Sequence, residues 1–123
     1  MPRVVHFEIP AKDKAKIQAF YSTVFGWEFT KWEGGDEPYW MVKTGEQGTP
    51  GIDGGLYTPD EQYRSVVNTI DVPNLDEYIA KVKANGGTVA IAKMPVPGVG
   101  YLCYCKDVEG TLFGLMQADP NAA

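Results

Sequence analysis

The most constraining feature of this chain is that it repeats itself. Gly55-Leu56-Tyr57-Thr58-Pro59-Asp60 returns as Gly114-Leu115-Met116-Gln117-Ala118-Asp119, 59 residues later in a chain of 123. A period near half the length restricts the fold to architectures built from two like units. The echo extends to the helices that the apolar pattern predicts. One runs from Asp13 with Ile17, Phe20, Tyr21 and Val24 on a stripe and stops at Gly26. The other starts at the cap Asn74, carries Leu75, Tyr78, Ile79 and Val82, and stops at Gly86. Both stripes have the i, i+3, i+4, i+7 spacing of a helix laid on a sheet. His6 and Val67 stand in corresponding places ahead of the two helices.

Around each helix the period changes to that of strands. Residues 3–9 alternate, with Val5, Phe7 and Ile9 on one side and His6 and Glu8 on the other. Further strands are predicted over 27–32, 39–44 and 52–57, with turn residues over 33–38 and a glycine-rich loop over 45–51. After a polar linker at 59–64 the order recurs: a strand over 65–72, a helix over 75–85, and strands over 88–93, 101–106 and 111–117. Met94 to Gly100 reads as a loop that could serve as a lid, and 119–123 as a frayed tail. The expectation is an α+β fold. Two βαβββ repeats, over about 3–58 and 65–118, form a curved, mixed eight-stranded sheet with the helices outside and a central cavity. A chain of 123 residues is one domain's worth, so residues 1–123 are expected to share one core.

Composition limits the partners. The net charge of −5, with no clustered Lys/Arg stripe, argues against nucleic acid. No stretch approaches the run of about 18 apolar residues that spans a bilayer, and Met-Pro-Arg-Val-Val-His has no signal-peptide core. A cytoplasmic protein with no membrane partner is expected. Cys103 and Cys105, the only cysteines, share one strand face. They are read as reduced, small apolar packing residues, without companions for a zinc site.

Taken together these residues resemble the vicinal oxygen chelate superfamily, the glyoxalases, bleomycin-resistance proteins and extradiol dioxygenases. The tokens are His6 ahead of Phe20-Tyr21, then Val24-Phe25-Gly26-Trp27, then Gly86-Gly87. The last is Asp107-Val108-Glu109-Gly110-Thr111-Leu112-Phe113-Gly114-Leu115, which is similar to the family's final turn and strand, with Val108, Glu109 and Thr111 as departures. The resemblance implies four metal-ligand places, one on the first and one on the last strand of each repeat. Here they hold His6, Gly55, Val67 and Gly114, of which only His6 has a donor suited to zinc, nickel or iron. No metal and no other cofactor is therefore expected.

The site residues are expected on the face away from the helices. The ligand-binding candidates are His6, Glu8, Trp40, Gly55, Tyr57, Tyr101, Gly114 and Met116. Gly55 and Gly114 are read as positions that widen the cavity and leave it open. His6 and Glu8 are also the candidate acid–base pair, and His6 reads equally as a strand histidine satisfied by Glu8 or a tyrosine hydroxyl. The function these features support is metal-independent binding of a small organic molecule between the repeats. The alternative is a metal-dependent lyase, isomerase or dioxygenase-type enzyme that uses His6 with non-standard ligands, and enzymatic activity stays open. A homodimer is expected.

Overall fold

The computed structural model describes residues 1–33 and 38–123. Of the turn expected over 33–38, residues 34–37 lie outside the described residues. The elements follow as β1 (Arg3–Pro10), α1 (Lys14–Phe25), β2 (Glu28–Lys31), β3 (Trp40–Lys43), β4 (Asp53–Tyr57), β5 (Val67–Asp71), α2 (Leu75–Ala84), β6 (Thr88–Val96), β7 (Gly100–Lys106) and β8 (Leu112–Ala118). This is strand-helix-three strands, twice. The strands make a mixed eight-stranded sheet that is not closed, in the order β2-β3-β4-β1-β5-β8-β7-β6. His6–Val66 form one compact unit, and Met1–Val5 with Val67–Ala123 form a second.

The repeat is visible at the level of single hydrogen bonds. In one unit β1 runs parallel to β4, and the Ala11 N–H donates to the Tyr57 carbonyl at 2.9 Å. In the other β5 runs parallel to β8, and the Val72 N–H donates to the Met116 carbonyl at 2.9 Å. Each helix opens on a side-chain cap, Asp13 accepting from the Lys16 N–H and Asn74 from the Glu77 N–H. Such caps satisfy amide groups that have no partner within the helix. Gly26 ends α1 in the left-handed region at φ 77°, which a residue without Cβ adopts at little cost.

Each unit buries its core between sheet and helix. Under α2, Val72, Leu75, Cys103, Cys105 and Leu115 are buried, with Tyr78, Ile79 and Val82 packed against them, so the expected stripe faces inward. The cysteine thiols lie 3.8 Å apart, and Cys103 Sγ donates to the Ile91 carbonyl at 3.2 Å. In the unit of α1 the core is Ala11, Val42 and Leu56, joined by Phe7, Ile9, Ile17 and Trp27.

Three expectations are corrected. The stripe of α1 does not bury as a whole: Phe20 and Val24 are 55% and 54% exposed. Tyr21 stacks on Trp27 with centroids 4.9 Å apart, and Trp27 leans on Phe7. The loop expected at 94–100, with 95–100 a candidate lid, is a tight hairpin instead. Pro95 and Val96 pair with Tyr101 and Gly100, and the Val99 N–H closes the turn on the Val96 carbonyl. β6 ends the strand order, and a proline on an edge strand forfeits no ladder bond. The tail does not fray: the Gly98 N–H donates to the Ala122 carbonyl, and Ala122 is buried.

Candidate functional site

Alternation along paired strands decides which side chains share a face. In the unit of residues 6–66, β1 and β4 register as His6 with Asp53, Glu8 with Gly55 and Pro10 with Tyr57. Met41 on β3 stands opposite Gly55. All of these side chains therefore point away from α1. His6, Glu8, Gly55 and Tyr57, four of the expected site residues, come together here. Trp40 stands opposite Leu56 and packs with Val42 in the helix-side core, on the other face.

A residue outside the expected set completes this cluster. The Tyr39 hydroxyl lies 3.0 Å from His6 Nε2, and the two share a hydrogen bond. The phenol covers Gly55 so closely that a Cβ there would collide with the ring and its oxygen. The space left by the missing side chain at 55 is thus filled from within the unit rather than left open. Parity was the available signal: Tyr39 is two residues before Met41, which faces Gly55.

The electrostatics follow from burial. Glu8 is only 7% exposed although it carries a carboxylate. Desolvation pushes the His6 imidazole below its ordinary value, while the negative charges of Glu8 and Asp53 oppose the shift. Neutral imidazole is favoured, with one ring nitrogen able to donate and the other to accept. Burial first, then the charges of Glu8 and Asp60, raise the Tyr57 phenol. Its hydroxyl donates to the Ser65 carbonyl at 2.6 Å. The depression lined by Pro10, Lys12, Pro59, Asp60, Glu61 and Arg64 is in the same unit but includes none of His6, Glu8 or Tyr39.

In the second unit the face away from α2 carries Thr69 opposite Gly114, Asp71 opposite Met116, and Tyr104 opposite Gly114 on the other side. Gly114 and Met116 thus lie where parity put them. The opening expected at Gly114 is absent, because a Cβ there would stand 2.9 Å from the Oγ1 of Thr69, itself buried. Tyr101 is on the helix side, packed against the core of Cys103 and Leu115, with Lys93 Nζ 5.2 Å from its ring centroid.

The donor set does not fit a divalent metal. Gly55 and Gly114 offer no side-chain donor, Val67 offers carbon, and His6 Nε2 is engaged by Tyr39. Asp53 Oδ1 accepts from the Thr44 N–H at 2.8 Å. Among the described residues no three His, Cys, Asp or Glu side chains are grouped to hold an ion. Among the described residues, too, no helix is long and apolar enough to cross a membrane.

Comparison with known proteins agrees with the fold. Residues 3–45 match the family described as bleomycin resistance protein-like N-terminal. A Streptomyces coelicolor methylmalonyl-CoA epimerase in complex with 2-nitronate-propionyl-CoA superposes with a TM-score of 0.71 at 19% identity, covering 98% of this chain and 97% of that one. A glyoxalase/bleomycin resistance protein/dioxygenase superfamily member from Vibrio splendidus gives 0.64 at 21% identity, covering 97% and 100%. A hypothetical protein from Bacillus halodurans gives 0.72 at 13%, covering 99% and 98%. None of the curated proteins matches this sequence.

Proposed function

Taking as premise that the chain has the fold of the glyoxalase/bleomycin resistance/dioxygenase superfamily, we propose that it binds a small organic molecule without the help of a metal ion. The observation that carries the reading is the cluster on the face away from α1. A neutral histidine and a tyrosine hydroxyl share a hydrogen bond beside a buried carboxylate, over a glycine. Such a group offers directed donors and acceptors beside a closely approached glycine backbone, the kind of polar anchor a small-molecule site uses. It would take a ligand with one hydrogen-bonding group and a flat apolar body. The chain acts in the cytoplasm, as a homodimer, with neither nucleic acid nor membrane as partner.

A second reading, an acid–base catalyst of the lyase or isomerase type, is favoured by the placement of His6 and Glu8 two residues apart on that face. Burial holds the imidazole neutral, and a neutral imidazole can take up a proton from a bound substrate. The methylmalonyl-CoA epimerases among the structural neighbours are compatible with this chemistry.

Native mass spectrometry of the protein purified from cells tests the first reading. The wild type is expected to retain a noncovalent organic adduct, and His6→Ala and Glu8→Gln are expected to lose it while staying folded. An adduct that persists unchanged in both variants contradicts this placement of the site.

A further inference from the structure

We infer that Tyr39 is an internal occupant of the ligand site, and that the site takes molecules bearing a hydroxylated aromatic ring that displace it. The inference rests on the reading of the His6 face as a ligand site and adds the chemical class of the ligand.

Three observations converge on it. The Tyr39 phenol lies against the backbone of Gly55, in the volume that any side chain at 55 would claim. Its hydroxyl is held by His6 Nε2 at 3.0 Å. Its own backbone is anchored separately, the Tyr39 carbonyl accepting from the Trp32 N–H at 2.8 Å. In the displacement we infer, the ring turns out about its side-chain bonds while the chain at that point stays paired. What it leaves behind is a flat slot floored by glycine, with an imidazole nitrogen at one end and the Glu8 position beside it.

A slot that fits one phenol fits another. A neutral imidazole exchanges its bond with the Tyr39 hydroxyl for one with the ligand hydroxyl, so the imidazole keeps a partner in the exchange. A ligand without the hydroxyl would leave the half-buried imidazole nitrogen unpaired and would bind less well. Because Tyr39 competes for the slot, the apparent affinity of the wild type is reduced by the fraction of time the slot is empty. Removing the ring removes that handicap.

The test uses 4-methylphenol as probe and the NMR signals of His6, the sole histidine, as reporter. Added 4-methylphenol is expected to move the His6 ring signals of the wild type in a saturable way. In Tyr39→Ala its dissociation constant should fall by about tenfold or more. Toluene, which lacks the hydroxyl, should bind the variant at least about tenfold more weakly than 4-methylphenol. Tyr39→Phe keeps the ring but loses the bond to His6, and should bind 4-methylphenol more tightly than the wild type. It serves where the alanine variant does not fold, and the wild-type titration decides where neither does.

Folded Tyr39→Ala with unmoved His6 signals overturns the inference. So does a wild type that never responds while the variant binds, because Tyr39 is then a fixed wall. Equal binding of toluene overturns the assignment of the hydroxyl. If cells supply an adduct that depends on His6 and Glu8 while 4-methylphenol leaves His6 untouched, the ligand site stands and the aromatic class falls. If 4-methylphenol behaves as expected but no adduct depends on these residues, the broader reading falls instead.

Discussion

His6 Nε2 and the Tyr39 hydroxyl are 3.0 Å apart, joined across the space that a side chain at residue 55 would occupy. Desolvation there lowers the proton affinity of the imidazole relative to the unfolded chain, so between the two values the unfolded state binds more protons. The His6 contribution to stability is therefore present above the ordinary value of 6.5 and is lost as pH falls from there through the lowered folded value. Thermal unfolding followed from pH 8 to pH 5 should show a fall in midpoint that His6→Gln flattens. An unchanged pH profile in the variant would contradict the burial of the imidazole.

The thiols of Cys103 and Cys105 should be inert in the native protein. Both are fully buried, and burial together with the neighbouring thiol pushes Cys105 up to about 12. Thiolate is the reactive form, so a disulfide reagent at pH 8 should modify neither cysteine until denaturant is added. Cys105→Ala should cost roughly 1 kcal/mol, the scale of deleting a small buried group. Rapid modification of the native state would show that α2 does not cover this pair.

Gly114→Leu should destabilise the protein rather than pass unnoticed. A Cβ at 114 already stands 2.9 Å from the Thr69 Oγ1, and Thr69 is buried, so a leucine overpacks the face. The expected cost is about 1–3 kcal/mol, read as a lowered midpoint in urea. An unchanged midpoint would place open space where the structure has Thr69.

Phe20, Val24 and Phe25 are each more than half exposed on α1. An exposed apolar patch of this kind commonly marks an interface. A homodimer at micromolar concentration is expected, and Phe20→Ser with Val24→Ser should weaken it. Light scattering that gives a monomer near 13.5 kDa for the unmodified protein would contradict this.

The parts of the fold that were legible in the sequence are those fixed by local chemistry and by repetition. Asp13 and Asn74 cap their helices because a short polar side chain at those positions can accept an amide bond. The face shared by His6, Glu8, Gly55 and Tyr57 follows from alternation alone. Parity with Met41 put Tyr39 on this face, but its reach over Gly55, 16 residues on, was not legible, because strand spacing does not say how far a side chain extends. Pro95 and Val96 looked like a loop because the sequence does not say which strand will be at the edge. The exposure of Phe20 was equally hidden, since a helical stripe shows which residues share a face but not how much of that face a neighbour such as Trp27 will claim.

The central claim, that this fold works here without a metal ion, is tested most directly by elemental analysis of protein purified with no added metal. The analysis is combined with binding of its retained ligand before and after treatment with a chelator. The account predicts well under one equivalent of zinc, nickel, iron or manganese, and binding that the chelator does not change. Near-stoichiometric metal that disappears in His6→Ala, with ligand binding lost alongside it, would contradict the account.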